Sequence, residues 1–354
     1  MKRIVTAIAA LLAMAAPAMA GHYAAVGQGS CSYCHKTNLV TQHGGFAANV
    51  CQTCHSSTDQ NVVNTIASGV AGGQYACSNC HGSQSHLSKH GTYVTNYSQY
   101  NGVEPNSATA WTSPAGYTAV QPAAKEYQLC YKCHSTYAFT ATNGVSGIIG
   151  PSGKPFTDKA REFNPANASA HPVQVPLNSQ TGSAAPRALR ANQMKAPWTA
   201  VGTQTMKCSD CHTPGSTGKS MLITGTTWPT RADGRLWTLG DVRSNTGNWQ
   251  TTLFCAKCHP LKGSGGGESG WYNNVHSEGD HENNVACVAC HAVSPHGLNH
   301  GRFIGYASDP APYAYIDSAG RKAQVMTNFR KASSPTSYGE GNCTALTSAC
   351  DEHK

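Results

Sequence analysis

CSYCH, residues 31–35, sets two cysteines three positions apart and a histidine directly behind the second. The arrangement returns as CQTCH (51–55), CSNCH (77–81), CYKCH (130–134), CSDCH (208–212), CAKCH (255–259) and CVACH (287–291). The seven copies use fourteen of the chain's 16 cysteines. Histidine makes up only 17 of 354 residues, so its recurrence behind every pair is not a chance outcome.

C-x-x-C-H is the attachment signature of c-type haem. The paired thiols are Cys31 and Cys34, Cys51 and Cys54, Cys77 and Cys80, Cys130 and Cys133, Cys208 and Cys211, Cys255 and Cys258, and Cys287 and Cys290. At this spacing both sulfurs of a pair reach one porphyrin edge and form thioether bonds. The adjoining His35, His55, His81, His134, His212, His259 or His291 then turns under the ring and takes one axial position on iron. The sequence therefore predicts seven covalently bound haems c. Zinc is the rival reading, because Cys31/Cys34 followed by Cys51/Cys54 has the spacing of a zinc ribbon. A ribbon does not require histidine after each second cysteine. Disulfides within each C-x-x-C would be redox-active, and seven of them have no evident purpose.

Ten histidines remain outside the motifs. They can fill every distal position, with His22, His43, His90, His171, His276, His281 and His296 the candidates. His86 and His90 stand at i, i+4 spacing and share a helix face, so that either both reach neighbouring haems or one is idle; His300 and His353 are the others left over. Pro172 holds His171 in extended backbone. Bis-His ligation gives six-coordinate, low-spin iron of low potential with no open site, which suits electron transfer. Met194, Met206, Met221 and Met326 are too few to serve seven haems.

Composition agrees with a cofactor-filled interior. Hydrophobic residues are 39% of the chain and charged residues 12%, with 36 Gly and 18 Pro. Side chains alone make a thin core, and flat apolar haem faces are expected to replace part of it. The predicted fold is irregular, mainly coil with short α-helices and few β-strands, organised around a chain of closely packed haems. The arm 91–127 reads as loop with one hairpin, and 135–207 as mostly coil. KSMLITGTTW (219–228) and RLWTLGDV (235–242) are strand candidates, and KGSGGGESG (262–270) is a flexible loop. Cys343 and Cys350, with six residues between them, suit a disulfide.

Residues 1–20, MKRIVTAIAALLAMAAPAMA, show the basic start, short apolar run and A-x-A end of a secretory signal peptide. The expected mature chain is 21–354. It carries a dense N-terminal haem cluster (about 21–91), a middle haem region (about 92–207) and a C-terminal haem group (about 208–354). Export to the periplasm or the cell exterior is expected, with no transmembrane anchor. The formal net charge of +8 includes Lys2 and Arg3, and each ferric haem with two ionised propionates adds one negative charge. The loaded chain is expected to be near neutral, and no basic run with interleaved aromatics points to nucleic acid.

The seven motifs resemble those of the multihaem c-type cytochromes. CVACHAVSPHGLNHGRFIGYASDPAPY (287–313) resembles a C-terminal segment of exported members, where C-x-x-C-H is followed closely by P-H-G. That resemblance implies that His296 ligates another haem. GHYAAVGQGSCSYCH (21–35) is similar to the mature N-terminus of the extracellular filament-forming cytochromes of metal-reducing bacteria. It implies self-association into a conductive filament in which a histidine such as His22 serves a haem of the next subunit. Other cytochromes or redox proteins are the implied donors and acceptors. The family also contains multihaem oxidoreductases with one open catalytic haem, for nitrite, hydroxylamine or sulfur compounds. Some of these carry Lys in place of the motif histidine; here all seven motifs end in His.

Overall fold

The computed structural model describes residues 94–149, 154–176, 191–214, 222–243, 248–261, 284–330 and 343–347, with isolated positions at 58, 60, 63, 64 and 67. The chain divides into two units, Met1–Thr95 and Asn96–Lys354, and almost all described residues belong to the second. The first three motifs lie outside the described residues, as do His22, His43, His90, His276 and His281.

Secondary structure is sparse and local. Strand β1 (Gly102–Pro105) pairs antiparallel with β2 (Tyr117–Val120), forming the hairpin expected in the first arm. Helix α1 (Glu126–His134) follows and carries the fourth motif. Its start is capped by Gln128, whose side-chain oxygen accepts from the backbone N–H groups of Ala124 and Lys125 at 2.8 and 2.9 Å. Those amides have no helical partner of their own.

The arm 135–207 is more ordered than its composition suggests. Strands β3 (Ala141–Thr142), β4 (Val145–Ile149) and β5 (Pro155–Thr157) form an antiparallel sheet. The β3–β4 turn is Asn143-Gly144, both left-handed at φ 51° and 76°. Asn-Gly suits this geometry because it meets little steric resistance at positive φ. Helix α2 (Lys159–Glu162) comes next, capped by the Asp158 carboxylate, which accepts from Ala160 N–H at 3.1 Å. Strand β6 (Ser169–Ala170) then reaches across the sequence to pair with β7 (Gly297–Leu298).

The two strand candidates further on are corrected. The described part of 219–228 makes isolated bridges only, and 235–242 runs into helix α3 (Leu239–Arg243). The reason is local. Asp241 accepts from the backbone N–H and hydroxyl of Thr238, each at 2.9 Å, and this Thr-x-x-Asp pattern starts a helix. Helices α4 (Trp249–Thr252) and α5 (Cys287–Cys290) are single turns, and β8 (Met326–Phe329) pairs with β9 (Cys343–Ala345). Cys343 is disulfide-bonded; Cys350 lies outside the described residues. Among the described residues no helix is long and apolar enough to cross a membrane.

The core is divided into small clusters. One gathers Val103, Tyr127, Tyr131, Phe163, Val173 and Met206, with Cys208, Cys211 and Cys258 at its edge. A second gathers Trp237, Val242, Trp249 and Leu253, with Cys287 at its edge. Ile304 and Met326 form a third, edged by Cys290. Motif cysteines therefore sit at the margins of apolar clusters.

Candidate metal centre

Four motifs fall within the described residues, each on a tight helical turn. They occupy the end of α1, the 3-10 turn Cys208–Asp210, the 3-10 turn Phe254–Lys257 and α5. A single turn brings positions i and i+3 to one side, so the two thiols of a motif face the same way. Backbone bonds extend the turn to the histidine: the N–H groups of His212, His259 and His291 donate to the carbonyls of Cys208, Cys255 and Cys287 at 3.0, 3.1 and 2.9 Å.

Successive motifs are neighbours. Cys130 lies beside Cys208, and the sulfurs of both lie within 4.8 Å of a Glu126 carboxylate oxygen. Cys211 feels Cys258 and Cys255, and Cys287 feels Cys255. The Glu126–Cys130–Cys208 set is the one group of three or more His, Cys, Asp or Glu donors that converges in this way among the described residues. Both Glu126 oxygens are already engaged. They accept from the backbone N–H and hydroxyl of Ser209 at 2.8 and 2.7 Å. Glu126 thus ties the start of α1 to the fifth motif.

The thiols of the fifth, sixth and seventh motifs are held in their neutral form. The adjacent Cys130 and burial push Cys208 well above its ordinary value. Burial raises Cys211 and Cys255 to about 12 and Cys258 and Cys290 to about 11. A redox-active C-x-x-C needs a lowered thiol pKa, and these surroundings do the opposite.

Histidines outside the motifs separate into two kinds. His171 and His296 are brought together by the β6–β7 pair, where His171 N–H donates to the His296 carbonyl at 3.0 Å. His171 Nδ1 donates to the Pro295 carbonyl at 2.5 Å. His296 Nδ1 donates to Glu162 Oε2 at 2.7 Å, with the Ser294 hydroxyl at 2.9 Å. The motif residue His259 follows the same rule, its Nδ1 meeting the Gln193 carbonyl at 3.3 Å. Burial lowers the pKa of all three, to about 4 for His296 and about 3 for His259. Each is therefore a neutral imidazole with Nδ1 committed, the state in which Nε2 carries the lone pair for a metal. His300 is the other kind: its Nε2 meets Asp309 at 3.2 Å and its ring stacks on Tyr306 at 3.7 Å.

Around His296 the geometry is closer still. Its ring centroid lies 5.9 Å from that of His212 and 4.9 Å from that of Phe163. His171 stacks on Phe303 at 4.8 Å. His134 packs against Phe156 at 5.6 Å. These residues fit a haem: paired thiols on one turn, a histidine directly behind them, and aromatic surfaces nearby. Sequence reasoning missed Glu126 and Glu162. Nothing in EYQLCYKCH or DKARE points to partners 83 and 134 residues away. No known protein family, curated protein or solved structure matches the chain.

Proposed function

We propose that this chain is an exported c-type cytochrome that binds seven haems covalently and carries electrons along them. The observation that carries the reading is the C-x-x-C-H repeat, seven copies in 354 residues. Two features of the fold support it. Described motifs succeed one another through neighbouring cysteines, Cys130 to Cys208, Cys211 to Cys258 and Cys255 to Cys287. Groups attached at those sulfurs would have closely spaced edges. The buried imidazoles of His171, His259 and His296 are also kept neutral and oriented through Nδ1.

Bound haem supplies one-electron iron chemistry. The chain's part is to fix the axial histidines, hold them uncharged, and exclude water with Trp, Tyr and Phe clusters. Export through residues 1–20 places the carrier in the periplasm or outside the cell, with other cytochromes or redox proteins as donors and acceptors. Filament assembly through His22 belongs to the same reading. The test is the ferric spectrum of intact, mature protein by electron paramagnetic resonance. Low-spin signals alone are expected. A substantial high-spin signal would favour an oxidoreductase with an open haem and overturn the all-carrier reading.

A further inference from the structure

We infer that His296 is the second axial ligand of the haem attached at CSDCH (208–212), opposite His212, and that Glu162 is the positioning residue that orients it and lowers that haem's potential. The inference rests on the covalent-haem reading above. Two imidazoles on opposite faces of one metal, with metal–nitrogen bonds of about 2 Å, have ring centroids about 6 Å apart. The His212 and His296 centroids are 5.9 Å apart, with ring planes inclined at 41°. In sequence His296 stands five residues past the seventh motif, yet its ring is beside the fifth.

Glu162 makes this ligand distinct. Its side chain is fully buried, with one oxygen accepting from His296 Nδ1–H at 2.7 Å and from Lys159 at 2.7 Å. The other oxygen, Oε1, makes no well-aligned hydrogen bond, and the buried Tyr313 hydroxyl interacts with the same carboxylate. A buried carboxylate, ion-paired with Lys159, thus faces the His296 ring. The Nδ1 atoms of His171 and His259 meet backbone carbonyls, of Pro295 and Gln193, rather than a carboxylate. A carboxylate behind an imidazole raises its basicity as a ligand. A more basic axial ligand favours the ferric state, so the potential falls. Gly297 fixes the arrangement, because a Cβ there would overlap the Glu162 carbonyl oxygen. His296 is consequently held against the α2 backbone as well as its side chain.

The experiment uses full-length protein matured with its haems, and counts covalent haem as its pyridine haemochrome before anything else. Wild-type protein without covalent haem would defeat the underlying reading and leave no haem for His296 to ligate. With seven haems present, His296→Ala should convert one haem in seven from low-spin to high-spin, and His296→Met should raise the midpoint of one in seven. In a Cys208→Ala/Cys211→Ala background, which lacks that haem, His296→Ala should add no high-spin signal. Glu162→Gln keeps the shape of the side chain and should leave every haem low-spin while shifting one-seventh of the redox titration upward. An unchanged spin state in His296→Ala, a new high-spin haem in the six-haem background, or a superimposable titration for Glu162→Gln would each overturn the inference.

Discussion

Glu126, at the first position of α1, accepts two hydrogen bonds from Ser209, 83 residues later, one from the backbone N–H and one from the hydroxyl. This carboxylate closes the approach between the fourth and fifth motifs and is itself buried. Hydrogen bonds to a charged acceptor contribute about 1.5–3 kcal/mol each. Glu126→Ala should therefore lower the unfolding free energy of the mature protein by about 3 kcal/mol, while Glu126→Gln, which keeps one acceptor, should lose less. Denaturant unfolding followed by near-UV dichroism measures this. Equal stability of Glu126→Ala and wild type would remove Glu126 as the tie between the two motifs.

Gly297 faces the carbonyl of Glu162 with no room for a methyl group. Backbone cannot yield as a flexible side chain can. Gly297→Ala should cost about 3 kcal/mol, the upper end for overpacking. The loss should come with separation of β6 from β7, since Gly297 pairs with Ala170. Hydrogen exchange at the His171 amide, which donates to the His296 carbonyl across the pair, should rise in the variant; unchanged protection would show that the segment accommodates the methyl group.

Lys159 and Glu162 set an acid limit. Burial alone would raise the Glu162 carboxyl, but Lys159 and the His296 N–H hold it well below the ordinary carboxylate range. His296, with a pKa of about 4, is neutral at pH 7, so the charged partner is Lys159 and the histidine contributes a hydrogen bond. A carboxyl whose folded pKa is depressed contributes stability that is fully present above its unfolded value and lost as pH falls toward the folded one. The contribution should therefore begin to fade below about pH 4.5, the ordinary glutamate value. Lys159→Met leaves the buried charge unpaired and should cost about 3 kcal/mol at pH 7, the low end for a buried pair because Lys159 is partly exposed. The cost should shrink in acid, where an unpaired Glu162 takes up a proton. Denaturant curves at pH 7 and pH 4 compare the two proteins; a pH-independent difference would contradict this origin.

Asp158 behaves in the opposite sense. Burial raises its pKa although several backbone amides favour the charged form. Protonation therefore favours the folded state, and whatever the carboxylate costs appears as pH rises through the raised value. Its cap on α2 needs an acceptor rather than a charge. Asp158→Asn should thus be nearly neutral at pH 7, and Asp158→Ala should lose about 1 kcal/mol. A larger loss in Asn than in Ala would contradict that view of the cap.

Local features were legible in the sequence where one short pattern carries its own geometry. C-x-x-C-H fixes the turn on which each described motif sits. Asn143-Gly144 and Thr238-x-x-Asp241 are local signals of the same kind, yet composition points to coil in 135–207 and RLWTLGDV reads as a strand, and the fold overrides both. The P-H-G segment makes His296 a candidate ligand in the sequence, but the partners its fold supplies were not legible there. Gly297 is required by a backbone oxygen at Glu162, and no sequence pattern links residues so far apart. The same holds for Glu126 and Ser209. Among the described residues these long-range contacts join short elements, which do not announce their partners through periodicity. His212 and His296 therefore emerge as neighbours only in the fold.

The central claim is the covalent attachment of seven haems, and intact-protein mass spectrometry of the mature, exported chain tests it most directly. The account predicts the mass of residues 21–354 plus seven haems, retained after denaturation and acid–organic extraction. A mass equal to that of the unmodified polypeptide, or one explained by zinc or by disulfides alone, would contradict it.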